Sequence, residues 1–300
     1  MTSSTRLPVV QPDSADRLPA APPVFERIAI VGLGLIGGSI ALGVRQVWPK
    51  SLVIGVDDRA VLEKAMVLHA IDVGADDLVV IKEADLVVLA APVGQNLELL
   101  TRLDDHVPGA AVVTDTGSTK RVIVGAAASL PSRLAFVGGH PLGGAARSGI
   151  EFARADLFRD RPWLFTPGPE TAPETMDRLF RFAGGLGAKP QALDAAAHDR
   201  LLAYLSHLPQ LASSALMHVV GEEAGEAGLA LAGRGLQDTT RLAASPAGIW
   251  RDIARTNADQ LDEALDRMIS ALTEVRRDLR AGDALDRLFA SASGWKARMP

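Results

Sequence analysis

Six histidines, one tyrosine and no cysteine leave few side chains in these 300 residues able to move a proton or attack a carbon. The missing cysteine removes thiolate nucleophiles, thiolate zinc sites and disulfides together. Among the histidines, His140 stands in Gly138-Gly139-His140-Pro141, read as a turn after an apolar strand, where a neutral imidazole can accept a proton. His207 lies in Ser206-His207-Leu208-Pro209. Pro209 frees a carbonyl and kinks its helix, and a polar residue at a kink often lines a cavity. His198 would point to the opposite side of a straight helix from His207 and reads as a domain-junction residue. His69 and His106 read as surface residues, and no spacing suggests a metal site.

Three further groups could assist. Ser118, in Asp115-Thr-Gly-Ser118-Thr-Lys120, can bond a substrate or His140, or cap the helix that follows. Lys120 suits a phosphate or carboxylate, or solvent. Asp238 and Arg241 are three apart on one helical face, fitting either a surface ion pair or a guanidinium clamp on a substrate carboxylate, oriented by Asp238. Trp250 reads as core.

Gly32-Leu-Gly34-Leu35-Ile36-Gly37 has the G-x-G-x-x-G spacing and follows the apolar run Ile28–Val31. Its glycines permit a tight turn, backbone approach to a pyrophosphate and close packing of a helix whose N-terminus faces the phosphates. The next apolar run, Leu52–Val56, ends at Asp57, placed to bind the adenosine ribose; Asp57-Asp58 would repel a 2′-phosphate, which points to NAD. Cofactor contacts are therefore expected from Gly32, Gly34, Leu35, Ile36, Gly37, Asp57 and Pro92, the last closing another apolar run. With a nicotinamide as hydride acceptor, the substrate needs a carbon bearing O–H or N–H and a group to take that proton.

The elements that must position these groups alternate. Strands are expected at 28–31, 52–56, 85–91, 111–114, 134–137 and 163–166, with helices at 35–48, 59–70, 93–103, 173–184 and after Lys120 up to Leu130. That alternation predicts an α/β fold, a Rossmann-type doubly wound parallel sheet. The glycine-bearing segments 32–38, 115–120 and 138–144 all follow strands, so topology alone should bring them to one crevice. Beyond about residue 190 the pattern turns helical: Leu201, Leu205, Leu208, Leu216, Val219 and Val220 fit buried faces, and Arg251–Leu285 reads as one or two amphipathic helices. Gly221, Gly225 and Gly228 suit either close helix approach or a broken helix. The expected division is a disordered tail over 1–25, where Pro8, Pro12, Pro19, Pro22 and Pro23 fall, an NAD-binding domain over 26–190 and an all-α C-terminal domain over 191–300.

A net charge of −5 argues against a nucleic-acid partner, and 48% hydrophobic with 22% charged residues is ordinary for a globular chain. No apolar run approaches the ~20 residues of a membrane span, and the N-terminus lacks a signal-peptide core, so a cytoplasmic location is expected.

The chain resembles the prephenate/arogenate (cyclohexadienyl) dehydrogenase family. The resemblance rests on Gly32–Ser39, Asp115–Lys120, Gly138-Gly-His-Pro-Leu-Gly-Gly144, Ser148-Gly149, His198-Asp199, Ser206-His-Leu-Pro209, Asp238-Thr-Thr-Arg241 and Trp250-Arg-Asp-Ile253, in the family's order. It implies an NAD domain followed by a helical domain that forms a homodimer. The implied reaction is oxidative decarboxylation of prephenate or arogenate in tyrosine biosynthesis. His140 would take the hydroxyl proton assisted by Ser118, His207 would line the substrate pocket, and Arg241 would bind a carboxylate. Ala145-Ala146 and Gln237 depart from the Thr-Glu and lysine of many relatives, at the pocket rim. Two other readings fit the same plan, a β-hydroxyacid dehydrogenase and a non-catalytic NAD-sensing protein. The absence of lysine between Lys189 and Lys296 counts against the first, and the joint presence of His140, Ser118 and Arg241 against the second.

Overall fold

A computed structural model describes residues 22–143 and 148–299. The first half of the sheet-forming part comprises β1 (Arg27–Val31), α1 (Leu35–Val47), β2 (Leu52–Val56), α2 (Arg59–Val67) and a short β3 (Val73–Ala75). The second comprises β4 (Leu86–Leu89), α3 (Val93–Leu100), α4 (Leu103–His106), β5 (Ala111–Asp115), α5 (Arg121–Ala127) and β6 (Leu134–Pro141). Then come β7 (Pro162–Pro167), α6 (Pro173–Gly185) and β8 (Lys189–Ala192), completing an eight-stranded sheet in the order β3-β2-β1-β4-β5-β6-β7-β8.

Period-two alternation explains why both faces of this sheet are covered. Ile28 and Ile30 of β1, with Leu86 and Val88 of β4, join one core with Ile40 and Val44 of α1 and Leu179 and Phe182 of α6. Their neighbours Ala29, Val31, Val87 and Leu89 join a second core with Leu100 of α3 and Ile123 of α5. Each fully buried side chain of this kind contributes about 1.5–3 kcal/mol. The strand order reverses between β1 and β4, so the crevice for a ligand opens beyond the carboxyl ends of these two strands.

Three expectations change here. The sheet is not wholly parallel: β7 runs antiparallel to β6, and β8 is parallel to β7. Gly138-Gly139-His140-Pro141 is not a turn but the second half of β6, with His140 opposite Leu164. Its glycines serve close packing. A Cβ on Gly139 would lie 2.5 Å from the Asp115 carbonyl oxygen, and one on Gly138 2.4 Å from Thr166 Oγ1. The packed chain also starts before residue 26, because Phe25 is buried edge-on to Phe182 with its ring 4.1 Å below the Arg178 guanidinium.

The remainder is helical: α7 (Ala195–Leu202), a π turn (Ala203–His207), α8 (Leu208–Leu229), α9 (Arg234–Thr239), α10 (Ala247–Thr256), α11 (Ala258–Arg277) and α12 (Asp283–Lys296). Asp194 starts α7, its carboxylate accepting from the N–H groups of Ala196 and Ala197. Gly225, at φ +58°, breaks α8, which decides for the broken-helix reading of the three glycines. The expected burial of the helical leucines fails in a single chain. Leu201, Leu205, Leu216 and Val219 are exposed, Leu205 by 72%, because among the described residues no other element covers that side of α7, the π turn and α8. Among the described residues, no helix is long and apolar enough to cross a membrane.

Candidate active site

The glycine turn sets one wall. Gly32 has φ +97°, and a Cβ there would fall 2.7 Å from the backbone of Ala90 and Ala91. A Cβ on Gly37 would lie 1.9 Å from the Gly32 carbonyl oxygen, whereas one on Gly34 meets nothing within 4 Å. The first and third glycines are thus fixed by packing, and the second faces open space. Asp57 braces the turn, its Oδ2 accepting from Leu33 N–H at 2.6 Å. Arg59 is drawn to Glu63 on α2, leaving the carboxylates of Asp57 and Asp58 to set the charge beside the turn.

A cleft of about 470 Å³ opens in front of this turn. Gly34, Leu35, Ile36, Pro92, Ser118, Gly143 and Trp250 are on its walls. The convergence expected of the three glycine-bearing segments is therefore present. The open face of Gly34, the free end of α1 and the Asp57 carboxylate fit a dinucleotide. Trp250, read as core, is instead a wall of this cleft. A second cavity of about 560 Å³ lies beside it, lined by His140, Leu142, Leu164, Leu202 and Ser206 among others, and Gly143 belongs to both.

Beneath the cleft, Asp115 and Lys120 form a fully buried ion pair. Asp115 also accepts from the N–H of Gly117 at 2.8 Å and of Gly139 at 3.0 Å, tying the end of β5 to β6. Lys120 is therefore neither solvated nor free for a ligand. Burial lowers its pKa, against the attraction of Asp115 and Asp199.

The helical domain meets this base through α7. Asp199 is fully buried and its carboxylate accepts from the N–H of Lys120 at 2.7 Å and of Arg121 at 2.9 Å. The first turn of α5 is thus capped from another domain and not by Ser118, whose hydroxyl makes no hydrogen bond among the described residues and faces the cleft. Burial would raise the Asp199 pKa, but hydrogen bonds from His198, Arg121 and Lys120 bring it below the usual carboxylate range. Asn257 donates to the Asp199 carbonyl at 2.8 Å, and Arg121 reaches Asn257 and Asp259.

His198, expected only at a domain junction, reaches further. Its Nε2 lies 2.9 Å from His140 Nδ1 and its Nδ1 2.9 Å from Asp199 Oδ1. Burial, then His198, Lys120 and His207, push the His140 pKa well below that of a free imidazole. The π turn between His198 and His207 removes the straight helix on which their opposite placement was argued. Both act electrostatically on His140. Spacing in sequence could not reveal this, because a π turn has no reliable signature there; His198-Asp199 as an adjacent pair was the available signal.

His207 is buried but does not line either cavity; it stands behind Trp250, ring centroids 6.1 Å apart and edge to face. Its Nε2 has no partner among the described residues, Asn257 Nδ2 is 3.5 Å from Nδ1, and burial lowers its pKa to about 4. Asp238 and Arg241 are both exposed, with no ion pair between them, and neither lines the cleft; the segment after Arg241 does, through Ser245 and Pro246. Ala145 and Ala146 lie outside the described residues.

Comparison with known proteins matches two family models to the chain. A family model described as prephenate dehydrogenase, nucleotide-binding domain, matches residues 40–191, and one described as prephenate dehydrogenase, dimerization domain, matches 194–291. The join falls between β8 and α7. The chain is 34% identical over 285 residues to the prephenate dehydrogenase of Bacillus subtilis (strain 168), covering 92% of this chain and 76% of the relative. The solved structure of Synechocystis arogenate dehydrogenase is similar with a TM-score of 0.77 at 32% identity, covering 91% of this chain and 99% of that one. A prephenate dehydrogenase from A. aeolicus, solved with hydroxyphenyl propionate and NAD+, gives 0.84 at 26% identity, covering 92% and 98%.

Proposed function

Because the chain belongs to the prephenate dehydrogenase family, we propose that it oxidises and decarboxylates a cyclohexadienyl substrate, prephenate or arogenate, with NAD+. The products are 4-hydroxyphenylpyruvate or tyrosine, CO2 and NADH, in tyrosine biosynthesis. The observation that carries the reading is the meeting of the nucleotide cleft with the cavity of His140 at Gly143. A ring seated there touches both a hydride acceptor and a base.

Bound NAD+ supplies the acceptor for the hydride from the ring carbon that bears the hydroxyl. The chain's own residues do the rest. His140 takes the hydroxyl proton: the O–H bond breaks, an N–H bond forms, and the C–O bond gains double-bond character as hydride leaves. The ring carboxylate departs as CO2, its bonding electrons complete the aromatic ring, and the phenolate oxygen takes the proton back from His140, which returns to its neutral form. Aromatisation drives this step, so position and one proton are what the protein must control. The depressed pKa of His140 keeps it neutral, and so ready as a base, at neutral pH. Ser118, on the cleft wall and unpaired among the described residues, is assigned to the substrate hydroxyl. His207 backs Trp250 and fixes the wall of the ring site. Arg241, exposed and without an ion-pair partner among the described residues, is assigned to a substrate carboxylate at the rim.

The bare apolar side of α7 and α8 supports a homodimer through the helical domain. The test of the catalytic assignment is His140→Asn. NAD+ affinity should stay the same while turnover falls about a hundredfold or more, the scale of general acid–base groups. Near-normal turnover removes His140 from the reaction.

A further inference from the structure

We propose that His198, held by Asp199, is a positioning residue that fixes the proton of neutral His140 on Nδ1 and leaves Nε2 as the base. The proposal rests on the dehydrogenase reading for the use of that base, but not for the tautomer itself.

With His198 neutral, hydrogen-bond chemistry along the line His140–His198–Asp199 has one consistent solution. Asp199 Oδ1 is an acceptor, and at 2.9 Å the facing His198 Nδ1 must carry a hydrogen. The other nitrogen of a neutral His198, Nε2, is then an acceptor. His140 Nδ1, 2.9 Å from it, must donate. That leaves the lone pair of His140 on Nε2. The same carboxylate caps α5 through the N–H groups of Lys120 and Arg121, so its place is set by four donors from two domains. His198 and Asp199 are both fully buried, which keeps water from offering His140 a competing partner.

The groups around His140 set its charge. From α7 come His198 and Asp199; from the segment after β5, Lys120 bound to Asp115; from the π turn, His207. Burial, Lys120 and the two other imidazoles oppose a positive charge on His140. When Nε2 takes the substrate proton, His140 keeps its Nδ1–H on His198, and no second proton transfer is needed. His198 touches neither the substrate nor the nucleotide cleft; it acts through His140.

The experiment uses the full-length protein with nitrogen-15-labelled histidine, without substrate, so it is independent of activity. The expected spectrum shows His140 neutral, with hydrogen on Nδ1 and a bare Nε2. Hydrogen on Nε2 overturns the proposal. Two variants follow, with NAD+ affinity and thermal unfolding as checks on folding. H198L removes the acceptor, and kcat should fall about 10- to 100-fold, the scale of partners that orient a functional histidine, with KM nearly unchanged. H198Q offers a carbonyl oxygen in its place and should recover most of the loss. Wild-type kcat in a folded H198L overturns the proposal, as does an equal loss in H198Q. If the wild-type protein oxidises neither prephenate nor arogenate, the dehydrogenase reading fails while the tautomer result stands by itself.

Discussion

The Asp199 carboxylate lies 2.7 Å from the backbone nitrogen of Lys120, and this contact joins the two domains at the base of the site. A helix start normally finds its cap in the residue just before it. Here α5 takes its cap from α7 of the other domain, so correct docking of the helical domain and a correctly placed catalytic floor are the same event.

Removing that cap should be felt in stability. Asp199→Ala leaves the buried N–H groups of Lys120 and Arg121 without their acceptor, a cost of about 1–3 kcal/mol for each unsatisfied group. Chemical denaturation should show a clear drop in midpoint. A midpoint within error of the wild type would mean that the inter-domain cap is not formed in solution.

The buried Lys120–Asp115 pair makes a second prediction. Lys120→Met strands a carboxylate at zero exposure, with only the N–H groups of Gly117 and Gly139 left to satisfy it. Breaking a buried pair from one side costs about 3–5 kcal/mol. The double variant Lys120→Met, Asp115→Asn should be more stable than Lys120→Met alone. Additive losses would show that the two groups do not depend on each other.

The glycine turn separates folding from binding. Gly37→Ala places a methyl group 1.9 Å from the Gly32 carbonyl oxygen and should lower both stability and NAD+ affinity. Gly34→Ala meets nothing within 4 Å, so the variant should fold normally yet bind NAD+ weakly, because the methyl enters the space of the phosphates. The two are told apart by thermal unfolding beside nucleotide titration. Normal NAD+ affinity in Gly34→Ala would place the nucleotide elsewhere.

His207 predicts a pH dependence of stability. Its pKa falls from 6.5 to about 4 because burial disfavours the imidazolium. Above pH 6.5 it is neutral in both folded and unfolded chains and adds no slope. Between pH 6.5 and about 4 the unfolded chain binds a proton that the folded one refuses, so stability falls as pH falls. At about 1.36 kcal/mol per pKa unit the full loss attributable to this group is roughly 3 kcal/mol. Denaturation at pH 7 and pH 5 should show a smaller drop for His207→Gln than for the wild type. Equal drops would mean that His207 is not a buried neutral imidazole.

Much of the frame was legible in the residues. The glycine spacing, the acidic residue after the second strand and the alternation of apolar runs led to the sheet, the cleft and its position. What escaped has physical causes. Gly138-Gly139 has the composition of a turn, yet there it lets β6 pass close to Asp115 and Thr166. Leu205 and its neighbours have the periodicity of a buried face, but no element among the described residues covers them. The link from His140 to His198 depends on a π turn and on two domains meeting, and neither leaves a periodic mark. In sequence Lys120 reads as a ligand contact or a solvated side chain because a charged side chain is so seldom fully buried, and only the fold supplies the carboxylate that allows it.

The most direct measurement of the central claim is a side-by-side assay of NAD+ reduction by the purified protein with prephenate and with arogenate, with CO2 release followed in parallel. NADH and CO2 should form in equal amounts with at least one of the two substrates, and Arg241→Ala should raise the KM for that substrate severalfold or more. If neither substrate yields NADH, the assignment of His140 and the cleft to oxidative decarboxylation is contradicted.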